Sequence, residues 1–255
     1  MTLGRSRRTL SSAMELQKAR PAAFPPPASG FALAARLCIR ASDRASLGTL
    51  MAGQNRAYVS LVAVATDVDG APLLLLSGLS DHTRNLALDA QTSLLFDGSA
   101  DFANPQEGPR ATLMGKVERV GPADLERVRR RYLARHPGAA QYAGFADFGF
   151  YRVVAERIHW VGGFGRAAWI ERLQPIPPAA VAAFAEAELD LLDAIGPRAD
   201  QLARGWLRRK SAGWRLTAID PDGFVLAQAK RTYRLAFPTP VDEPGAVEAA
   251  VARPV

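Results

Sequence analysis

The sequence predicts a fold that is mainly β, or α+β, in which an antiparallel barrel precedes a small α+β unit. Before residue 172, short apolar or alternating runs dominate and few helical patterns lie between them. The proline-rich run Gln174-Pro175-Ile176-Pro177-Pro178 then interrupts the pattern, and alanine-rich helices and alternating strands follow it. Strands with few intervening helices favour an antiparallel barrel over a doubly wound parallel sheet.

Changes in composition predict three segments. Residues 1–30 are a basic tail, residues 31–172 the barrel, and residues 179–255 the small α+β unit. Residues 1–40 carry seven Arg and Lys against one Glu, so they hold +6 of the formal net charge of +7. Because the remainder is nearly neutral, the charge favours a solubilising tail and no specific nucleic-acid partner, with an RNA-binding tail as the alternative.

The barrel begins with helical spacing. Apolar residues in 31–51 predict one or two helices before the first strand. Residues 57–65 are rich in β-branched and aromatic side chains, and together with residues 72–77 they predict a β-hairpin across the turn at Asp67-Val68-Asp69-Gly70. Ser80 and Asp81 then predict the start of a helix.

Later elements follow the same rules. Residues 93–96 and 110–120 predict strands, and Gly121-Pro122 predicts a helix start whose apolar face contains Leu125, Val128 and Tyr132. Two further strands are predicted at residues 148–154 and 158–161. In the C-terminal unit the pattern predicts helices at residues 179–195 and 197–209, three strands between Trp214 and Phe237, and a short helix at residues 246–251.

Several classes of chemistry are disfavoured. His82, His136 and His159 are far apart in the sequence, and the only cysteine is Cys38, so neither an intramolecular disulfide nor a cysteine-rich zinc site is expected. The run Gly162-Gly163-Phe164-Gly165 has the wrong spacing for a dinucleotide fingerprint, and no hydrolase or phosphate-loop motif occurs. The lone cysteine and the lack of a long apolar run predict a cytoplasmic protein without a membrane span.

One segment, SGLSDHTRN beginning at Ser77, has the features of a phosphate site. A strand ends, small residues turn the chain, and a helix begins whose first N–H groups and positive dipole end attract anions. The Thr83 hydroxyl and the planar Arg84 guanidinium add donors suited to phosphate oxygens. The alternative is structural: Ser80 caps the helix, Arg84 is solvated, and His82 bonds a neighbouring loop.

Motifs in and around this segment carry a family resemblance. They are YVSLV at residues 58–62, DGAPLLLLS at 69–77, HTRNL at 82–86, RATLMG at 110–115, RYLARHP at 131–137, FADF at 145–148 and VGGFG at 161–165. In this order they resemble the pyridoxamine 5'-phosphate oxidase-like, FMN-binding split barrels of the heme-utilization type, over about residues 31–172. The C-terminal unit is similar to the helix-and-strand module that commonly follows this barrel.

The resemblance implies a homodimer with FMN sites at the subunit interface and flavin-dependent oxidoreductase chemistry on an unknown small molecule. It places the FMN phosphate at Thr83 and Arg84, with help from His82 and Asn85. Its remaining implied cofactor-binding residues are Ser60 and Ser77 on strands beside the flavin, and Arg110, Gly163 and Arg166 near the site from the same or the partner subunit. No catalytic residue follows from it.

Heme binding without flavin catalysis is the alternative function. Some heme-handling relatives bind heme through a C-terminal histidine, whereas no histidine follows His159 here. Leu192-Asp193-Ala194-Ile195-Gly196 also stands where the C-terminal module usually carries a Met-Asn-x-Asp-His element. Both departures weaken a heme-degrading assignment. His136 and His159 remain as possible ligands, although a structural role is expected for each.

Three further expectations concern single residue types. Cys38 lies on an apolar helical stripe and is expected to be buried. Trp169 is close enough to the glycine loop to shield a flavin face. The arginines of the predicted helix after residue 121 favour a solvated or dimer-facing surface over a nucleic-acid face, since stacking aromatics are lacking beyond Tyr132; they are Arg127, Arg129, Arg130, Arg131 and Arg135.

Overall fold

The computed structural model describes residues 30–51, 53–54, 56–171 and 176–254, so the predicted basic tail lies outside the described residues up to residue 29. The first element of the described residues is helix α1 (Gly30–Ala41). One eight-stranded sheet follows among these residues, and its strands are β1 (Arg44–Leu50), β2 (Ala57–Ala63), β3 (Ala65–Thr66), β4 (Pro72–Ser77), β5 (Gln91–Asp97), β6 (Arg110–Arg119), β7 (Phe148–Val161) and β8 (Ala167–Ile170).

The sheet is antiparallel throughout, in the order β2-β1-β5-β6-β7-β4-β3, with β8 paired to β7. Its main core is formed by apolar residues of the curled sheet and by α1, which buries Ala35, Cys38 and Ile39 against it. Burial raises the pKa of the Cys38 thiol to about 12. The predicted fold class is therefore confirmed, and so is the burial of Cys38.

Strand β1 was not predicted from the sequence. Residues 44–50, part of the predicted helical region, form β1 instead of a second helix. Ala45, Leu47 and Thr49 are buried and alternate with more exposed neighbours, so the period is two and not 3.6. The alternation is weak in sequence because Gly48 and Ser46 offer little contrast in polarity.

The predicted hairpin is only partly formed. Strand β2 pairs with β1, and only the two residues of β3 pair with β4 across the Asp67–Gly70 turn. Between β2 and β3, the N–H of Val64 donates to the carbonyl of Asp43 at 2.9 Å, next to β1. The chain therefore stays beside β1 through Val64, and β2 does not pair with β4 across the turn.

The two strands predicted at residues 148–154 and 158–161 are one strand, β7. Its pairing with β6 shifts where Met114 and Gly115 face residues 155–157, which marks a β-bulge. A Cβ at Gly115 would overlap with the carbonyl of Val154, so only glycine fits this close approach. The polar residues at the bulge are what interrupts the alternation in the sequence.

Two helices of the barrel region agree with their predictions. Helix α2 (Asp81–Leu88) follows β4, and helix α3 (Pro122–Arg135) follows β6. In α3, Val128 and Tyr132 are buried beneath the helix, whereas Leu125 is 42% exposed. The apolar face of α3 is therefore narrower than predicted.

The predicted C-terminal elements are also present. They are α4 (Pro178–Ile195), α5 (Ala199–Trp206), β9 (Arg215–Asp220), β10 (Gly223–Gln228), β11 (Arg231–Ala236) and α6 (Val247–Val251), with the strands in the order β11-β10-β9. Phe184, Ile219 and Phe224 are fully buried in this second core. No helix among the described residues is long and apolar enough to cross a membrane.

A buried ion network joins the barrel to these C-terminal elements. Arg40 of α1 donates to Asp222 at 2.6 Å and to Asp220 at 3.1 Å. Arg131 of α3 pairs with Glu188 of α4 and donates to Asp220 at 3.1 Å. The expectation that the α3 arginines form a solvated or dimer-facing surface is thus wrong for Arg131, because its carboxylate partners lie far away in the sequence.

Other arginines of α3 also point inward. Arg127 pairs with Asp67, and Arg130 donates to Glu188 at 2.7 Å. Asp220 accepts from three arginines, because its buried carboxylate also accepts two hydrogen bonds from Arg234. Although burial opposes ionisation, the guanidiniums around Asp220 hold its pKa well below the ordinary aspartate value.

Replacing Asp220 with Asn should lower the free energy of unfolding by about 3–5 kcal/mol, because it leaves buried guanidiniums without their shared charge. Urea unfolding measures the loss, and Asp242→Asn, at an exposed position, is the matched control. Because the folded-state pKa is depressed, this stabilisation is complete above the ordinary pKa of about 3.9 and is lost in more acidic solution. Equal stability of the two variants would contradict the assignment.

Candidate functional site

The turn between β4 and α2 is fastened to the start of β7. The Ser77 hydroxyl donates to Oδ2 of Asp147 at 2.6 Å and accepts from the N–H of Leu79 at 3.1 Å. The N–H of Gly78 donates to the carbonyl of Asp147 at 2.6 Å. Ser77 therefore has a positioning contact here, and Asp147 is a site residue that sequence reasoning did not single out.

Helix α2 begins without the expected side-chain cap. Ser80 occupies the N-cap position, but its hydroxyl donates to the Ser77 carbonyl at 2.7 Å and lies 2.8 Å from Oγ1 of Thr83. It makes no capping bond to the N–H groups of the helix. The interpretation of Ser80 as a simple cap is thus wrong. The first N–H groups of α2 are left to attract an anion, with the Thr83 hydroxyl beside them.

His82 and Arg84 differ in their surroundings. His82 is half-buried, and its Nδ1 lies 3.1 Å from the Ser60 hydroxyl of β2, so its partner is a strand and not a loop. Burial lowers the pKa of His82, an effect that Asp81 opposes, which favours the neutral imidazole at pH 7. Arg84 donates to Asp81 at 3.3 Å with 61% of its side chain exposed, so its guanidinium is accessible from solvent.

Asn85 lies below this surface. Its buried amide donates to the hydroxyl of Thr49 in β1 at 3.0 Å. This bond holds α2 on the barrel wall, and it depends on the strand that the sequence pattern did not reveal. Thr49 could therefore not be found as part of the site from the sequence.

The other predicted site residues form a second group. Arg110 donates to the carbonyls of Gln106 and Gly108, both at 3.3 Å. Gly163 has a φ of +112°, and a Cβ there would lie 2.9 Å from the carbonyl oxygen of Glu107, so the glycine loop lies against that turn. Arg166 closes the loop by donating its N–H to the Gly163 carbonyl at 3.2 Å, and its side chain is exposed.

The two groups lie at opposite ends of β7. Ser77 pairs with Phe148 at its start, and Arg110 pairs with Val161 at its end. Within one chain, then, the structure brings together Ser60, Ser77 and the start of α2. It places Arg110, Gly163 and Arg166 together elsewhere.

A third cluster lies beside the glycine loop. The rings of His159 and Trp169 are 4.6 Å apart at a tilt of 30°, and the guanidinium carbon of Arg157 lies 4.1 Å from the centre of the Trp169 ring. Trp169 is 52% exposed. His136, in contrast, is held by a bond between its Nε2 and the Val64 carbonyl at 2.9 Å. In the described ranges no group of three or more His, Cys, Asp and Glu residues could hold a metal ion.

The fold and its sequence match a known family model. The model described as CREG, beta-barrel matches residues 26–176, which is more than half of the chain. The chain belongs to the CREG β-barrel family. The resemblance to the pyridoxamine 5'-phosphate oxidase-like split barrels, drawn from motifs such as HTRNL at residues 82–86, is thereby confirmed.

This CREG β-barrel protein is also similar to individual proteins. A structure of a protein of unknown function from Agrobacterium tumefaciens covers 92% of the chain and 99% of its own, with 27% identity and a TM-score of 0.73. A heme-binding protein from Mycobacterium smegmatis covers 88% of the chain and 95% of its own, with 22% identity and a TM-score of 0.54, and shows the fold alone.

Among curated proteins, a segment of 108 residues is 37% identical to the chloroplastic non-canonical heme oxygenase HOZ of Arabidopsis thaliana. The match covers 42% of this CREG β-barrel chain and 32% of that relative. The chain therefore spans about a third of the length of the curated relative it matches.

Proposed function

We propose that this protein binds FMN at the start of α2 and uses it in an oxidoreductase reaction on a small molecule. The observation that carries the proposal is the uncapped helix start, where Ser80 leaves the first N–H groups of α2 without a side-chain partner. Thr83 and Arg84 supply a hydroxyl and an accessible guanidinium beside them. This donor set fits a phosphate ester, and bound FMN would supply the redox chemistry.

The other residues around the start of α2 also have roles in this proposal. His82, kept neutral by burial, is oriented through Nδ1 by Ser60, which leaves Nε2 for the ligand. Ser77 and Asp147 hold the turn, and Asn85 holds the helix on the barrel. The buried thiol of Cys38, the only cysteine, fits a reducing compartment, and we propose the cytoplasm.

We further propose a homodimer that completes the site. Arg110, Gly163 and Arg166 lie at the far end of β7 from Ser77, so they reach the FMN site of a second copy more readily than their own. The outer face of β2 and β5 is apolar and exposed, with exposed fractions of 65% at Val59, 71% at Leu61 and 39% at Leu95. Exposed apolar patches of this kind mark interaction surfaces.

The variant Arg84→Ala should bind FMN about 1–3 kcal/mol more weakly, because a charge-assisted bond to phosphate is lost. Flavin fluorescence during titration of the protein measures the affinity. Arg44→Ala is the control, since Arg44 is also an exposed arginine and is paired with its neighbour Asp43 outside the site. Unchanged affinity in Arg84→Ala would remove Arg84 from the proposal.

The variant Leu61→Glu should convert the dimer to monomers, because it places a charge in the centre of the apolar face. Light scattering after size exclusion measures the mass. Leu125→Glu, at an exposed leucine of α3, should remain dimeric. A wild-type protein that is monomeric at micromolar concentration would refute the dimer.

Heme binding is the second candidate function. It is favoured by the similarity to a heme oxygenase and by the cluster of Arg157, His159 and Trp169 beside the glycine loop. His159 offers an imidazole, Trp169 an exposed aromatic face, and Arg157 a cation for a carboxylate. Heme titration followed by absorption should then show a saturable shift that His159→Ala abolishes and Arg84→Ala leaves intact. A protein that binds FMN and shows no such shift would exclude this candidate.

A further inference from the structure

A cleft lies between the barrel and the C-terminal elements, away from α2. It has about 350 Å³ of empty space including its open mouth. Four arginines line it, Arg40 of α1, Arg131 and Arg135 of α3, and Arg234 of β11, and the other lining residues carry no charge. The chemistry of the cleft is therefore set by guanidinium groups.

The nearby carboxylates are already shared between several arginines. Asp220 accepts from Arg40, Arg131 and Arg234. Asp222 is shared between Arg40 and a second α1 arginine, Arg36.

Glu188 is likewise shared, between Arg131 and Arg130. The three carboxylates thus pair with five guanidiniums at this junction. Arg135 adds a sixth positive charge. The neighbouring carboxylates of Asp67 and Asp69 are engaged by Arg127 and Arg152. The cleft therefore holds an excess of positive charge.

Arg234 shows where this excess is unsatisfied. Its side chain is only 5% exposed, and both of its terminal nitrogens donate to Asp220, at 2.6 and 2.5 Å. Its Nε, however, is buried and has no hydrogen-bond partner among the described residues. A buried charged donor without an acceptor is costly, and an anion in the cleft would supply an acceptor.

Arg135, unlike Arg234, has no carboxylate partner among the described residues. Its guanidinium donates to the carbonyl of Ala41 at 2.7 Å and to the Thr232 hydroxyl at 3.2 Å, and it forms no ion pair with any described carboxylate. Burial lowers the pKa of Arg135 to about 10, an effect that Asp43 opposes and Arg234 reinforces. The environment therefore disfavours its positive charge, as expected where a counter-ion belongs.

We infer that this cleft is a second anion site, which binds a phosphate group between Arg135 and Arg234. Arg135 offers a guanidinium that pairs with no described carboxylate, and Arg234, whose terminal nitrogens are bonded to Asp220, offers its Nε. Both are charged N–H donors suited to phosphate oxygens. The ligand is either free inorganic phosphate or the phosphate of a larger molecule. Because Arg135 lies on α3 and Arg234 on β11, the bound group stabilises the junction between barrel and C-terminal elements. The inference is independent of the proposed FMN site.

Thermal unfolding in inorganic phosphate, compared with chloride at equal ionic strength, tests the site. Phosphate should raise the midpoint saturably, by about 3–6 °C at ten times its dissociation constant. Arg129→Gln, on the same helix outside the cleft, should keep this rise. Arg84→Gln removes any part of the rise that comes from phosphate at the start of α2. The remaining rise should persist in Arg84→Gln and should be lost in the double variant Arg84→Gln/Arg135→Gln, which separates the two sites. A rise that Arg84→Gln abolishes and Arg135→Gln retains overturns the inference.

A pair of variants at Ala134 tests the same cleft without replacing an arginine, in case an arginine variant does not fold. Ala134 lines the cleft, so Ala134→Glu supplies a tethered carboxylate and Ala134→Gln a neutral group of the same size. Without phosphate the Glu variant should unfold at the higher temperature, and phosphate should no longer stabilise it. If the Gln variant is as stable as the Glu variant and both respond fully to phosphate, the cleft is not the site.

Glycerol phosphate distinguishes the two sources of the ligand. Stabilisation equal to that by inorganic phosphate, and lost in Arg135→Gln, supports a site for the free ion. Stronger stabilisation with the same dependence on Arg135 supports a phosphorylated organic ligand. Failure of both compounds to shift the wild-type midpoint refutes the inference, whatever the outcome for FMN.

Discussion

The buried carboxylate of Asp220 fixes three parts of the chain at once, because it accepts from Arg40 of α1, Arg131 of α3 and Arg234 of β11. A single acceptor shared in this way restricts where each of the three elements can lie. Helix α1 shows the consequence. Arg36 and Arg40 pair with Asp222, in the turn between β9 and β10, while Cys38 and Ile39 pack in the barrel core. Helix α1 therefore contributes apolar side chains to the barrel core and ion pairs to the C-terminal elements.

The same network extends towards the candidate site. Asp67 and Asp69, in the turn before β4, are held by Arg127 of α3 and Arg152 of β7. These pairs fix the beginning of β4, whose other end, Ser77, opens the turn to α2. Buried ion pairs add little net stability when compared with apolar packing, but breaking one of them is costly. We interpret their role here as specifying one arrangement of β4 relative to α3.

Sequence patterns predicted the elements that are determined locally and missed those determined by distant contacts. Helix α2 and its donors at Thr83 and Arg84 follow from a turn, a polar start and a helical period within a few residues. Strand β1 was missed because Ser46 and Gly48 offer little contrast in polarity with their buried neighbours, and because its pairing with β5 is distant in the sequence. The inward direction of Arg131 was missed because its partners lie 57 and 89 residues away.

The net charge of a segment likewise says nothing about which charges come together in the fold. The formal charges after residue 40 sum to nearly zero, which suggested no specific nucleic-acid partner for the folded part. The structure instead gathers several arginines in one place. Arg40, Arg131 and Arg234 are buried around one shared carboxylate, while acids such as Asp89 and Asp242 are exposed. Exposed charges are screened by water and salt, whereas buried ones act over short distances at lower dielectric. A ligand in the cleft therefore experiences the arginines, not the neutral sum.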